Sequence, residues 1–200
     1  MQLGILGTGH VATTLAAAWS AKHNITLGSR DPAGKDVGYR VLPLAEAITK
    51  ADVVVNAILG AVAVQLISGI EAGVFGGKTL IDVANATTPS FDLMYPNSSL
   101  AEKLQEARPD ANVVKTLNCA AITFGANPAQ IGPTSVFMSG NSDQAKAETA
   151  GLLQDLGWSA DDIIDLGGVD TARGPEHYLV LFAKLAGLLK TEAFNIRVVH

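Results

Sequence analysis

The chain has 200 residues, 48% hydrophobic and 16% charged, enough apolar content for the core of one well-packed domain. A formal charge of −5 at pH 7 excludes a broad nucleic-acid or anionic-membrane surface, so any anion has to be met by a local site. The single cysteine, Cys119, excludes an intrachain disulfide and a cysteine-based metal cluster within the chain, and suits a reducing cytoplasm.

The first strand is expected at once, over Leu3 to Leu6, with no charged leader before it, so no secretory signal is expected. That apolar run passes into Gly7-Thr8-Gly9 and then a helix with Val11, Leu15 and Trp19 along one face. Gly7 allows a sharp turn, Gly9 lets the main chain approach a pyrophosphate, and Ala12 takes the third small position. The helix N-terminus then offers unpaired N–H groups to the phosphates, so the stretch reads as a dinucleotide site.

Asn24 to Gly28 reads as the second strand and ends in Ser29-Arg30-Asp31-Pro32. An acidic residue at this end favours NAD, because it binds the ribose 2′-hydroxyl; a basic or hydroxyl residue favours NADP. Ser29 can donate a hydrogen bond, Arg30 can pair with a 2′-phosphate through its planar fork, and Lys35 adds a point charge, so NADP(H) is the expected cofactor. Asp31, beside Pro32, reads as a turn residue.

A short third strand is expected near Tyr39 to Val41, then a helix from Pro43 to Lys50 with Pro43 in its first turn. Asp52 to Ile58 is a near-continuous apolar run, as in a central parallel strand covered on both faces. Gly60 breaks it and a helix follows from Val62 to Ile70. Thr79 to Val83 is the next strand, with a polar loop from Asn85 onward at its carboxyl end; Ser99 to Ala107 reads as helix and Asn112 to Asn118 as strand. This alternation predicts an α/β fold, a Rossmann-type, doubly wound, mostly parallel sheet. Its ligand belongs outside the carboxyl ends of the strands, where loops beginning at Gly7, Ser29, Ala57, Ala84 and Asn118 converge.

Beyond Phe124 the pattern loosens. A strand is expected at Ser135 to Ser139, a helix from Ser142 to Leu156, a short strand at Asp162 to Leu166 and a last helix from Gly174. Residues 1–200 are read as one NADP-binding domain, with residues from about 125 to 200 a short C-terminal α/β extension packed on the core or a partner subunit. The last helix is apolar around its circumference, so it belongs in a core or at a homodimer interface. Its segment from Tyr178 to Leu189 is interrupted by Lys184 and is shorter than the roughly 20 residues of a membrane span, so no span is expected. His10, His23, His177 and His200 show no metal-site spacing.

These pieces together resemble the F420-dependent NADP oxidoreductase family. The resembling residues are Gly4-Ile5-Leu6-Gly7-Thr8-Gly9, Gly28-Ser29-Arg30, Leu80-Ile81-Asp82-Val83 with Asn85, Val114-Lys115-Thr116-Leu117-Asn118, and Asp165-Leu166-Gly167 with Ala172-Arg173 and Glu176. The resemblance implies that Thr8, Ser29 and Arg30 contact the 2′-phosphate, that Gly7, Gly9, His10 and Val11 present backbone to the pyrophosphate, and that Ala57, Ile58 and Leu59 line the ribose and nicotinamide with Asn85 nearby. It further implies direct hydride passage to a deazaflavin ring, coenzyme F420, with a partner's C-terminal region helping to close the pocket. Where the family commonly carries proline after the fourth strand and after the asparagine of the fifth, this chain has Gly60 and Ala86. Relatives that pass hydride to flavins keep a flavin acceptor open; a small carbonyl or imine acceptor and a non-catalytic NADP-binding sensor are the alternatives.

No residue declares itself as an acid or base. On the substrate side Asn85, Asn118 and His177 are the candidates: the amides for hydrogen bonds to carboxamide or acceptor, the imidazole as a proton donor, although a surface histidine at a helix start is the simpler reading. His10 is expected to act through its backbone and Cys119 to be a buried apolar thiol. Lys115 is expected to reach solvent from a strand end, and Arg173 to cap carbonyls or to pair with Glu176 or Asp165.

Overall fold

The computed structural model describes residues 1–199; His200 lies outside the described residues. In chain order the elements are β1 (Gln2–Leu6), α1 (His10–Trp19), β2 (Asn24–Ser29), β3 (Arg40–Pro43), α2 (Leu44–Lys50), β4 (Val53–Asn56), α3 (Gly60–Ser68), β5 (Thr79–Asp82), α4 (Leu100–Ala107) and β6 (Asn112–Thr116). There follow α5 (Ile122–Gly125), β7 (Val136–Gly140), α6 (Asp143–Asp155), β8 (Ile163–Asp165) and α7 (Arg173–Leu189). One sheet of eight strands runs in the order β3-β2-β1-β4-β5-β6-β7-β8. The first six strands are mutually parallel, β7 is antiparallel to β6, and β8 is parallel to β7. The chain leaves β1 toward β2 on one side and returns to β4 on the other, so the crevice of this doubly wound sheet opens between β1 and β4.

The central strands are buried on both faces, which is why they lack the alternation of a half-exposed strand. Leu3, Ile5, Val53, Val55 and Ile81 point to one face, against Leu15, Ala16 and Trp19 of α1 and Leu152 and Leu153 of α6. Leu6, Val54, Leu80 and Val113 point to the other, against Ala47 and Ile48 of α2, Ala63 and Ile67 of α3 and Leu104 of α4. Of the expected α1 face, Leu15 and Trp19 lie in the core while Val11 is half-buried at its edge. Trp19 Nε1 donates to Leu152 O at 3.0 Å, tying the first helix to α6.

Three expectations shift. Pro43 ends β3 and caps α2 instead of sitting in its first turn, because its backbone is still extended there. A short helix not anticipated from the sequence, α5, leads into the stretch beyond Phe124 where the pattern loosens. In α7 only Pro175 and Glu176 are fully buried, while Val180, Leu181, Leu188 and Leu189 are exposed, so beyond its first turn this helix does not enter the core of its own chain. The tail beyond it folds back. Phe194 stacks on Phe182 with ring centroids 4.9 Å apart, Ser135 N donates to Ile196 O at 2.8 Å, and Asn195 Nδ2 donates to Ser135 O at 3.0 Å.

Candidate functional site

The turn after β1 is built from local backbone needs. Gly7 has φ +123°, outside the range of side-chain-bearing residues, and a Cβ there would lie 2.7 Å from Ala57 O. Its N–H donates to Gly28 O at 2.8 Å, locking the turn to β2. Gly9 differs. Its φ is an ordinary −84° and a Cβ there would meet no protein atom within 4 Å, so what its missing side chain leaves open is space in the cleft. Gly9 caps α1 without a side-chain hydrogen bond, leaving the helix's first N–H groups directed into that space.

Toward β2 the turn borders a cleft of about 380 Å³ lined by Gly7, Thr8, Gly9, Ser29, Arg30 and Lys35 on its polar side and by Leu44, Ile58, Val62 and Leu66 on its apolar side. The polar rim suits a phosphate and the apolar floor an adenine ring. Lys35 Nζ donates to Thr8 Oγ1 at 3.0 Å, while Arg30 makes no ion pair among the described residues and is exposed, its guanidinium uncommitted. Ser29 Oγ donates to Asp31 O at 2.9 Å and accepts from Asp31 N at 3.2 Å. Asp31 is therefore held in a local turn, as its position beside Pro32 suggests.

A second cleft of about 420 Å³ adjoins the first, sharing Gly9, Ala57, Ile58 and Leu59, and runs over the ends of β4, β5 and β6. Gly60, His10, Val11, Val83, Ala84, Asn85, Leu117, Asn118, Ala120 and Ile122 complete its wall. Across it the two asparagines grip each other: Asn85 Nδ2 donates to Asn118 O at 2.9 Å and Asn118 Nδ2 to Asn85 Oδ1 at 3.0 Å. Leu117 takes φ +59°, a left-handed conformation that costs a leucine about 1 to 2 kcal/mol and lets the chain turn at the end of β6. Gly60 is required by the same closeness, since its Cβ would lie 2.2 Å from Asn85 O and 2.8 Å from Ala86 Cα.

Every residue expected to hold the cofactor therefore lines one of these two joined clefts, and so do Asn85 and Asn118. His177 lines neither; it is exposed on α7. Cys119 is buried beside the cleft, with Sγ 3.6 Å from Pro175 O, and burial pushes its thiol up to about 12, partly countered by Lys115. It stays protonated and is no nucleophile.

Lys115 corrects the sequence reading most sharply. Its side chain is 0% exposed, because β6 is an interior strand with no route to water. Asn56, Asp82 and Lys115 are register partners on β4, β5 and β6, one polar row across an apolar sheet. Lys115 Nζ lies 2.8 Å from Asp82 Oδ2 and 2.9 Å from Glu176 Oε1, and donates to Ala84 O. Asn56 Nδ2 donates to Asp82 Oδ1 at 2.8 Å. Burial works against the ammonium, but Asp82 and Glu176 outweigh it and hold Lys115 above the ordinary lysine range. Arg173 is corrected with it: Glu176 is turned inward to Lys115, and Arg173 pairs with Glu102 at 2.5 Å. No sequence motif marks the row, yet a lysine inside an apolar run flanked by strands with Asp82 and Asn56 near their ends was a usable signal.

A sheet with this strand order, a glycine turn, an uncapped helix end and a free cation at the end of β2 defines a dinucleotide-binding α/β protein. Residues 2–86 match the family described as NADP oxidoreductase, coenzyme F420-dependent. A structure from Arthrobacter sp. FB24, provisionally assigned as an F420-dependent NADP-reductase, is similar at 35% identity and a TM-score of 0.92, covering 99% of each chain. A hypothetical protein from Sinorhizobium meliloti is similar at 26% identity and a TM-score of 0.68, over 84% of this chain and 86% of that one. An imine reductase from Pseudomonas sp. shares the fold at 20% identity and a TM-score of 0.69, over 94% of this chain but 62% of its own. Comparison with curated proteins gives no match.

The chain belongs to the coenzyme F420-dependent NADP oxidoreductase family and is an NADP-dependent oxidoreductase. The residues present fit NADP(H): the space over Gly9, the free N–H groups of α1 and the uncommitted guanidinium of Arg30 are the groups such an anion requires. Among the described residues there is no cluster of His, Cys, Asp and Glu that could hold a metal ion, and no helix long and apolar enough to cross a membrane.

Proposed function

We propose that the enzyme exchanges hydride between NADP(H) and a planar deazaflavin or flavin-type ring, coenzyme F420 in first place, stacked in the cleft over β4 to β6. The observation that carries this reading is the wall of that cleft: apart from the Asn85–Asn118 pair it is apolar, and among the described residues His10 at its edge is its only titratable side chain. A ring that accepts hydride at its central ring atom, carbon in a deazaflavin and nitrogen in a flavin, and draws its proton from water needs stacking and exclusion of bulk solvent more than an acid.

The bound nicotinamide supplies the hydride. Arg30, Lys35, Thr8 and Ser29 hold the 2′-phosphate, and the backbone of Gly7 to Val11 receives the pyrophosphate. Ala57, Ile58 and Leu59 bound the nicotinamide ribose; Asn85 and Asn118, already locked to each other, orient the carboxamide or the acceptor. Leu59 is 72% exposed at the mouth, and we propose that a second copy of this chain covers it and the apolar side of α7, forming a homodimer. Two features support this: α7 carries Val180, Leu181, Leu188 and Leu189 into solvent, and Lys184 is the only charged residue between His177 and Leu189. Sedimentation at micromolar concentration is expected to give a dimer; a monomer overturns it.

NADPH oxidation followed with F420, FMN, FAD and a cyclic imine tests the acceptor. Turnover with F420 or a flavin and none with the imine is expected; the reverse would move the function to imine or carbonyl reduction. That second reading would have to draw its proton from His10 at the cleft edge, since Lys115 is sealed beneath the wall and His177 lines neither cleft.

A further inference from the structure

The buried row Asn56–Asp82–Lys115 and its continuation to Glu176 have no contact with the cleft space, and so take no direct part in the chemistry above. An ammonium and two carboxylates are nonetheless kept in an interior where apolar residues would stabilise the fold at least as well. Where their hydrogen bonds end is informative. The three N–H groups of Lys115 go to Asp82, Glu176 and the carbonyl of Ala84, using every donor the side chain has. Asp82 Oδ1 accepts from Ala84 N at 3.2 Å, and Asn56 Oδ1 accepts from Ile58 N at 3.2 Å. Ile58 and Ala84 are both wall residues of the 420 Å³ cleft, on the loops after β4 and β5. Glu176 is met by Leu100 N at 2.7 Å and Ala101 N at 3.2 Å, so the N-terminus of α4 balances the second carboxylate.

We propose that Lys115 is a positioning residue for the nicotinamide half of the cofactor, clamping the Ile58 and Ala84 loops at a fixed separation and tying them through Glu176 to the root of α7. The inference rests on the reading that NADP(H) spans the two clefts. It explains why the cluster is polar: only paired side chains reaching across three strands can hold two backbone loops from below while the wall above stays apolar. It also explains why the Asn85–Asn118 pair can form without further support, since Ala84 is held at both its N–H and its carbonyl. The charge on Lys115 is kept in the folded protein, so the clamp does not open in the neutral pH range.

The test compares NADPH with 2′,5′-ADP, which carries the 2′-phosphate but no nicotinamide, in the full-length protein. In Lys115→Met the affinity for 2′,5′-ADP is expected to stay within about twofold of the parent, as for a distant site. The advantage of NADPH over 2′,5′-ADP is expected to fall about tenfold, with loss of the fluorescence change of the bound reduced nicotinamide. Glu176→Gln keeps the side chain's size and an acceptor for α4, and is expected to lower the same ratio about threefold. A variant that loses thermal stability while keeping the parent's ratio and fluorescence assigns Lys115 to structure alone and overturns the proposal. Should Lys115→Met fail to fold, Glu176→Gln decides in the same way. Hydrogen exchange of the parent provides a third readout: the Ile58 and Ala84 amides are expected to be as protected as β4 and β5, and loop-like exchange overturns the clamp. Failure of the parent to bind 2′,5′-ADP would instead sink the NADP site itself.

Discussion

The two ends of the cleft are built on opposite principles. At the β2 end, charge is exposed and sparsely held: Arg30 and Lys35 stand at the surface with at most one hydrogen bond, beside the cleft proposed above for the 2′-phosphate. At the β4 to β6 end the buried charge lies underneath and is fully paired, and the surface offered to a ring is apolar apart from one locked amide pair and His10 at its edge. The difference follows from what each end must recognise. A phosphate is recognised by attraction, which tolerates some looseness. A hydride transfer needs two rings held at a fixed separation, which attraction alone does not give.

The contrast can be broken most strongly at Cys119. With its thiol raised from 9.0 to about 12, the thiolate at pH 8 is about a thousandfold rarer than for an unperturbed cysteine. Iodoacetamide labelling of the native protein is expected to be slower by about that factor than labelling in denaturant, and to rise tenfold per pH unit up to pH 11. Rapid native labelling would mean that the nicotinamide end is wet.

The paired glycines come next. Gly7→Ala is expected to cost about 3 kcal/mol of unfolding free energy, from a positive φ and a Cβ driven against Ala57 O. Gly9→Ala, with open space and an ordinary φ, is expected to leave denaturant unfolding unchanged while NADPH binding is lost. Equal stability losses would show that both glycines serve the turn and neither the ligand.

At the charged end, Arg30→Ala is expected to weaken NADPH by about 2 to 3 kcal/mol and leave NADH unaffected, measured by titration. Equal losses for both would remove the 2′-phosphate from Arg30. The smallest effect concerns Arg173, whose partner Glu102 is held below the ordinary carboxylate value first by the Arg173 hydrogen bonds, against the opposing effect of burial. A depressed carboxylate stabilises the fold above its unfolded value, 4.5, and the contribution is lost as the pH falls through its lower folded value. Arg173→Ala is therefore expected to lower the melting temperature slightly at pH 7, and the difference from the parent is expected to vanish in acid.

Much of the β2 end was legible because its determinants are local. Gly7, Gly9, Ser29 and Arg30 lie within a few residues of strand ends that the apolar runs reveal, and each acts through backbone or through a side chain that needs no distant partner. The β4 to β6 end was legible only in outline. Asn85 and Asn118 could be placed at strand ends, but their pairing required the Gly60 approach and the left-handed turn at Leu117. Arg173 was expected to pair with Glu176 or Asp165, and it pairs with Glu102 instead, because Glu176 is taken by a lysine from another element.

The sequence by itself determined a parallel α/β sheet, a dinucleotide turn at Gly7 to Gly9 and a cationic end to β2, since apolar periodicity, glycine freedom and side-chain charge are properties of short segments. Only the tertiary structure decided that Lys115 lies sealed between Asp82 and Glu176, that β7 runs against its neighbour and that α7 beyond its first turn stands clear of its own core. Those outcomes depend on which segments become interior neighbours. A lysine is a solvent residue at an edge and a cross-link in the middle of a sheet, and the strand order alone makes that choice.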